Sequence, residues 1–291
     1  PMKNLKRLLS LALTGVMLSG MMVMGASAAN FGDADEIVNT EAVDTMVALN
    51  IINGKPDGNY DPNGLVTRAE MAKMIATAVN GGVAPEFGTK PTPTYSDIKG
   101  NWAEQYIEYC YDMKYISGRG NGTFDPAGNV TGVEAAKMVL TALGYDETAY
   151  QLKGADWAIN TNAIAIRTCK PSLYENLNGV NMNVAIDRDT AAQIIWNGVQ
   201  NHVVEWTPNR EVTGTGLNYQ YTINPKVTLL NRAYDAYIWV GTFVANDKFG
   251  GTGLAKGEIQ VTGDLEDADP RSSTPAKFPA EYDIANIGEE T

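Results

Sequence analysis

Histidine occurs once in this 291-residue chain, at His202, and cysteine twice, at Cys110 and Cys169. Those shortages exclude several chemistries. A Ser-His-Asp or Cys-His centre would have to be built on His202, and no G-x-S-x-G or H-E-x-x-H stretch flanks it. A histidine-rich zinc site is impossible with one imidazole, and two cysteines 59 positions apart are not a C-x-x-C ligand pair. Basic residues are also short, 22 Lys and Arg against 34 Asp and Glu, for a formal net charge of −12. Phosphate binding is driven by clustered Lys and Arg, so nucleic acid is not an expected partner. An enzyme reading survives only for carboxylate pairs of the glycosidase kind in the last third of the chain, and about 90 residues is small for that. The expectation is a non-enzymatic protein with no cofactor and no metal.

What is present is enough for a packed core. Apolar residues make up 44% of the chain. Residues 1–28 stand apart: a basic start (Lys3, Lys6, Arg7), an apolar run of 17 residues from Leu8 to Met24, then Ala26-Ser27-Ala28 in the A-x-A pattern. That is the plan of a cleaved secretory signal. The alternative is a membrane anchor, but the run is at the lower limit for a span and no basic stop-transfer flank follows. Cleavage leaves 19 basic and 34 acidic residues, an acidic secreted protein with no membrane segment. Outside the cell Cys110 and Cys169 could pair. A buried free thiol is equally consistent with Cys110, which lies on the apolar side of a helix marked by Trp102, Tyr106, Ile107, Cys110 and Met113.

Sliding the chain over itself by 64 residues lays 50–76 on 114–140 with twelve of 27 positions identical and no gap. Such self-similarity marks a repeated supersecondary unit. A weaker third copy has "VAIDRDTAAQIIWNGV" at 184–199, with Asp187-Arg188 where Thr67-Arg68 stand, and "ADWAINTNAIAI" at 155–166 echoing "GNWAEQYIEYC" at 100–110. Each unit opens on an aromatic and an Asp ("FGDAD" at 31, "YSDIKGNWAE" at 95), and an amphipathic helix follows. Then come a Gly- and Asp-Pro-punctuated loop and a second helix that begins at Val-Thr. Met71, Ala72, Ile75, Ala78 and Val79 form the apolar face of that helix in the first unit. Gly54, Gly58, Gly118 and Gly122 read as turn formers. The loop is not a calcium loop: the twelfth position, which needs a bidentate acid, is Arg68 in one copy and Gly132 in the other.

These boundaries divide the chain into a signal (1–28), repeat 1 (29–82), a Pro/Gly/Thr linker (83–94), repeat 2 (95–146) and a degenerate repeat 3 (147–202). A β-rich region follows (203–291), read from "YQYTI", "KVTLL", "DAYIWVGTFVA" and "GEIQVTG". "DADPRSSTPAKFPAEYD" at 267–283 reads as loop, and the natural protein is expected to continue beyond 291. The fold class is therefore a mainly α N-terminal domain of three helix-loop-helix repeats, followed by a smaller β-rich region.

With its opening Asp and Trp, its I-x-G-x-x-x-G-x-[YF]-x-P loop and above all "VTRAEMA", the chain resembles the S-layer homology family, three copies in tandem over residues 30–201. The first copy lacks the Trp. The resemblance implies a pseudo-threefold bundle with grooves between the repeats. It also implies non-covalent attachment to the cell wall of Gram-positive-type bacteria through a secondary cell-wall polymer, often pyruvylated. The protein would then be secreted to the cell wall or surface layer, with self-association there as a further expectation. The family's arginine maps to Arg68 and Arg188, and its opening Trp and Asp to Trp102 with Asp97 and Trp157 with Asp156. The alternative is an enzyme or adhesin that uses the repeats only as its anchor.

An arginine in the first turn of a helix opposes the macrodipole, so Arg68 needs a reason. Thr67-x-x-Glu70 and Thr131-x-x-Glu134 are capping boxes, and Asp187 is a good N-cap. Caps and arginine vary independently, since Gly132 replaces the arginine in repeat 2 while the box stays. One reading projects Arg68 and Arg188 into the grooves, where a pyruvyl carboxylate would meet a guanidinium fork and a helix N-terminus. The other pairs Arg68 with an acid such as Asp61. Trp102 and Trp157 are ordinary core residues at a helix start, or platforms for a sugar face. Lys73 and Lys137 belong to a solvated face, or partner a ligand carboxylate.

Overall fold

The computed structural model describes residues 31–87, 90–209, 218–236, 242–246 and 259–262. The expected signal at 1–28 and the loop at 267–283 lie outside them, as do residues 237–241 of "DAYIWVGTFVA". Among the described residues no helix is long and apolar enough to cross a membrane. After a single 3-10 turn at Ala34–Glu36 the helices run α1 Thr40–Ala48, α2 Arg68–Val79, α3 Glu104–Asp112, α4 Gly132–Leu143, α5 Trp157–Arg167, α6 Arg188–Val199 and α7 Leu229–Tyr234. The strands are β1 His202–Asn209, β2 Asn218–Thr228, β3 Thr242–Asn246 and β4 Ile259–Thr262. The described N-terminal part is mostly helical, as its 3.6-residue periodicity requires.

All three second helices start as their sequences dictate. Thr67 Oγ1 accepts from Glu70 N at 3.2 Å while Glu70 Oε2 accepts from Thr67 N at 2.8 Å. Thr131 and Glu134 repeat this at 3.2 and 2.9 Å, and Asp187 Oδ1 accepts from Thr190 N at 2.8 Å. Each cap is worth about 1 kcal/mol.

The residues just before these helices join in a ring. Val66 N donates to Ile186 O (3.0 Å), Ile186 N to Val130 O (3.1 Å) and Val130 N to Val66 O (2.9 Å). The first N–H groups of each helix then bond to another repeat's loop. Arg68 N and Ala69 N donate to Gly128 O and Pro126 O, Gly132 N and Val133 N to Val184 O and Met182 O, and Arg188 N and Asp189 N to Gly64 O and Pro62 O. Helix packing follows the same cyclic order: α3 lies on α2, α5 on α4, and α1 on α6. The chain ends of the ring meet where Asp189 Oδ1 accepts from Asn39 N at 3.1 Å. No repeat therefore buries its own first helix against its own second one.

All twelve residues of α6 are buried. Two of its buried amides are paired: Gln193 donates to Asn197 Oδ1 (2.8 Å), and Asn197 Nδ2 donates to Leu173 O and Glu175 O (3.1 and 2.9 Å). Gly198 lets α6 cross α4 closely, since a Cβ there would collide with Val139 Cγ1. The apolar face of α3 differs from the sequence reading. Ala103, Ile107 and Cys110 are in the core, whereas Trp102 and Met113 are 59% and 48% exposed.

The linker is strapped to α3. The Glu108 carboxylate, 1% exposed, accepts from Thr94 N (2.6 Å) and Thr94 Oγ1 (2.7 Å) and pairs with Lys90 Nζ at 2.7 Å. Lys90 also pairs with Asp112 at 2.7 Å. Cys110 and Cys169 are both buried free thiols. Burial pushes the Cys169 thiol up to about 12 and raises Cys110 as well.

β1 pairs antiparallel with β2, with an irregularity between His202 and Val204. Both belong to one unit with the helices, residues 28–233. "KVTLL", read as a strand, splits: β2 ends at Thr228 and α7 begins at Leu229. Thr228 causes the switch by capping α7, its Oγ1 accepting from Asn231 N at 3.1 Å. In the second unit β3 pairs antiparallel with β4.

Candidate functional site

Where α2 starts, the loop of repeat 2 and the opening of repeat 2 enclose a cleft of about 240 Å³. It is lined by Thr67, Ala69, Glu70, Asn101, Trp102, Pro126 and Ala127. Asn101 Oδ1 accepts from Ala103 N at 2.9 Å, which leaves its amide N–H2 for other partners. Trp102 meets Tyr106 edge-on at 6.5 Å and otherwise stands in solvent. An exposed indole beside small apolar residues and a few polar groups is the kind of surface on which a sugar ring stacks.

Arg68 is 5% exposed and does not line the cleft. Its Nε donates to Phe124 O and its Nη2 to Ser117 O, both at 2.9 Å, with the guanidinium carbon 4.6 Å from the Phe124 ring centroid. Its ion-pair partner is Glu134 at 3.6 Å, whereas Asp61 pairs with Lys55. Burial lowers the Arg68 pKa, and the Arg119 charge lowers it further against Glu134 and Asp125. Arg188 of repeat 3 copies the geometry on the loop of repeat 1. Its Nε donates to Tyr60 O (2.8 Å), its Nη2 to Asn53 O (2.9 Å), and its carbon lies 4.9 Å from the Tyr60 ring centroid. Each arginine thus holds the loop of another repeat by two carbonyls and an aromatic face.

The third interface lacks both members. Gly132 stands where the arginine would be, and a Cβ there would meet Met182. The residue corresponding to Tyr60 and Phe124 is Val180, 39% exposed. Arginine and aromatic are present or absent together across an interface. This coupling is the physical reason why the arginine varies independently of its own helix cap.

The opening aspartates fix the same loops from below. Asp97 accepts from Phe124 N (2.9 Å) and Asp125 N (2.7 Å), and Asp33 does the same for Tyr60 N and Asp61 N, both at 2.7 Å. Burial raises the Asp33 pKa, but these backbone N–H groups outweigh it and hold the carboxyl below its usual value. Asp61 and Asp125 sit at φ 59° and 63°, a left-handed turn that Asp tolerates. Gly58 and Gly122 take φ 87° and 82°, while Gly54 and Gly118 make room for the Phe31 and Tyr95 rings.

The remaining candidates scatter. Asp156 is exposed at the start of α5 and makes no side-chain cap bond. Trp157 is half-buried, with Lys137 Nζ 5.6 Å from its ring centroid and 2.6 Å from Glu147 Oε1. Lys73 is half-buried on α2. Structure thus brings Trp102 to the α2 cleft, buries Arg68 and Arg188 beside the loops, and places Trp157 with Lys137 one repeat on. His202 opens β1 and is half-buried.

The family model of the S-layer homology domain matches residues 30–72 and 94–136. Both matches run from the opening Asp turn through the first helix and loop into the capping box. The chain carries the S-layer homology domain at both places. It is similar to a cell surface protein of Thermoanaerobacter kivui, 28% identical over 255 residues, 86% of this chain and 32% of that one. A cellulosome-anchoring protein of Acetivibrio thermocellus is 30% identical over 102 residues, 35% of this chain and 23% of that one. An uncharacterized cell wall amidase of Bacillus anthracis is 29% identical over 91 residues, 31% of this chain and 16% of that one. The chain spans about a third or less of the length of each of these relatives.

Proposed function

We propose that this chain is a secreted protein held non-covalently to the cell wall by three repeats (29–82, 95–146, 147–202) arranged as a pseudo-threefold bundle. Its ligand is a secondary cell-wall polymer carrying pyruvylated sugar, and its surface role is display or assembly into a surface layer. The observation that carries the reading is the cleft at Trp102, which opens between two repeats whose loops are tied by the Val66, Val130 and Ile186 hydrogen-bond ring. The ring supports a threefold arrangement, and the exposed indole supports sugar stacking. Arg68 and Arg188 act as positioning residues that hold the loops bounding the clefts. The carboxylate of the pyruvyl group then meets the half-buried Lys73 or Lys137 rather than the two arginines.

The clefts are not equivalent, because the Gly132 interface lacks the arginine and aromatic pair. Co-sedimentation of the 29–291 chain with purified walls tests the anchoring. Retention that disappears when pyruvyl groups are removed chemically supports the ligand. Retention unchanged by that treatment sinks the pyruvyl part, and no retention on intact walls sinks the anchor. A second reading is an anchor for a catalytic module, favoured by the relative described as a cell wall amidase. Hydrolysis of wall peptidoglycan by the 29–291 chain would support it.

A further inference from the structure

A second hollow lies between the turn after α4 and the middle of α5. It has a volume of about 280 Å³ and is lined by Ala149, Tyr150, Gln151, Asn160, Ala163 and Ile164. No lining residue is charged. The turn that forms its wall is fixed before any ligand arrives. Asp146 Oδ1 accepts from Thr148 N and Ala149 N, both at 2.9 Å, and Leu152 N donates to Glu147 O at 2.8 Å. Gln151 is held at φ 54°, and its backbone O accepts from Asn160 Nδ2 at 3.1 Å. Tyr150 is set by rings on both sides, Tyr145 at 4.7 Å and Tyr221 at 6.3 Å between centroids.

The polar inventory that remains is specific. Asn160 has given its amide N–H to Gln151 O, so its Oδ1 is left as an acceptor. The exposed Gln151 carboxamide makes no hydrogen bond to another described residue and offers both donors and an acceptor. An adjacent pair of hydroxyls on a sugar ring, each both donor and acceptor, matches that set. The ring's C–H face matches Tyr150, Ala163 and Ile164. A carboxylate or phosphate finds no cation among the lining residues.

We propose that this hollow is a binding site for a neutral pyranose unit, separate from the Trp102 cleft. The Gln151 carboxamide bridges two adjacent hydroxyls, the Asn160 Oδ1 accepts from one of them, and the ring packs on Tyr150.

The test is an ¹H–¹⁵N titration of the labelled 29–291 chain with methyl glucoside, methyl N-acetylglucosaminide and the methyl glycoside of glucuronic acid. Saturable shifts centred on Tyr150, Gln151 and Asn160 are expected with a neutral probe. Gln151→Ala and Asn160→Leu should each weaken binding about 3- to 10-fold, the range of one or two lost hydrogen bonds. Gln151 is exposed, so its variant should melt with the parent chain. Three results overturn the proposal: no shifts at this hollow up to about 100 mM probe, far weaker than any useful site; tighter binding of the glucuronide than of the neutral glycosides; or unchanged affinity in Gln151→Ala. Wall retention of Trp102→Ala reports on the other cleft, so the two sites fail independently.

Discussion

Replacing Arg68 by Ala should unlock two repeats from one another. The change strips Phe124 O and Ser117 O of their Arg68 donors, removes the cation 4.6 Å from the Phe124 ring centroid, and leaves Glu134 with Arg119 as its ion-pair partner. Two hydrogen bonds to a charged group contribute about 1.5 kcal/mol each at the low end. The cation–π contact adds about 1 kcal/mol. The hydrogen-bond values are already net of most of the desolvation that lowers the guanidinium's pKa, so only a remainder of about 1 kcal/mol is subtracted. The net loss is about 3 kcal/mol. For a unit of this size that corresponds to about 6–12 °C in Tm. Denaturant unfolding with hydrogen exchange at 117–128 is the assay. Arg68→Lys should recover little, because a lysine cannot reproduce the two-carbonyl fork. A loss below about 1 kcal/mol would refute the reasoning, since a surface arginine gives no more than that.

Three further outcomes are expected. Asp97→Ala should lower stability by about 1–3 kcal/mol and raise exchange at the Phe124 and Asp125 amides, because two backbone donors lose their acceptor. The strap at 90–94 should loosen in acid. Burial raises the Glu108 pKa, but its bonds from Lys90 and Thr94 hold it below the ordinary value, so the contribution is present above that value and fades as pH falls through the folded one. Burial lowers the Lys90 pKa, but Asp112 and Glu108 raise it overall, so its share is lost only as alkaline pH passes the raised value. Limited proteolysis of the linker against pH reads both limbs, and Glu108→Gln should show the acid behaviour at neutral pH. Gly198→Ala should destabilise by about 1–3 kcal/mol in a melting assay, since the new methyl collides with Val139 where α4 and α6 cross.

The parts legible in the sequence were those set by neighbours along the chain. Thr67 with Glu70 and Thr131 with Glu134 form their boxes three residues apart, and the residue types alone dictate the geometry. The Gly and Asp-Pro loop was readable for the same reason. Arg68 was not, because its acceptors lie 56 and 49 residues away in another repeat. A signal existed: aligned repeats have Tyr60 and Phe124 where repeat 3 has Val180, and the arginine is missing once, at Gly132. Interpreting it needs the cyclic order, in which the arginine of one repeat meets the aromatic of another. Trp102 sits on the exposed side because Ala103, Ile107 and Cys110 fill the core side of α3, and a hydrophobic count cannot separate the two. β1 was hidden by Pro208 and Asn209, turn-like residues that lie at its end.

Wall retention of Trp102→Ala beside its parent is the measurement closest to the central proposal. The indole is 59% exposed, so its loss should leave Tm nearly unchanged. Affinity for purified walls should fall about 5- to 12-fold, since stacking of one ring on an aromatic is worth about 1–1.5 kcal/mol and Trp102 is the one aromatic side chain lining the cleft. Unchanged retention by a folded Trp102→Ala chain would contradict it.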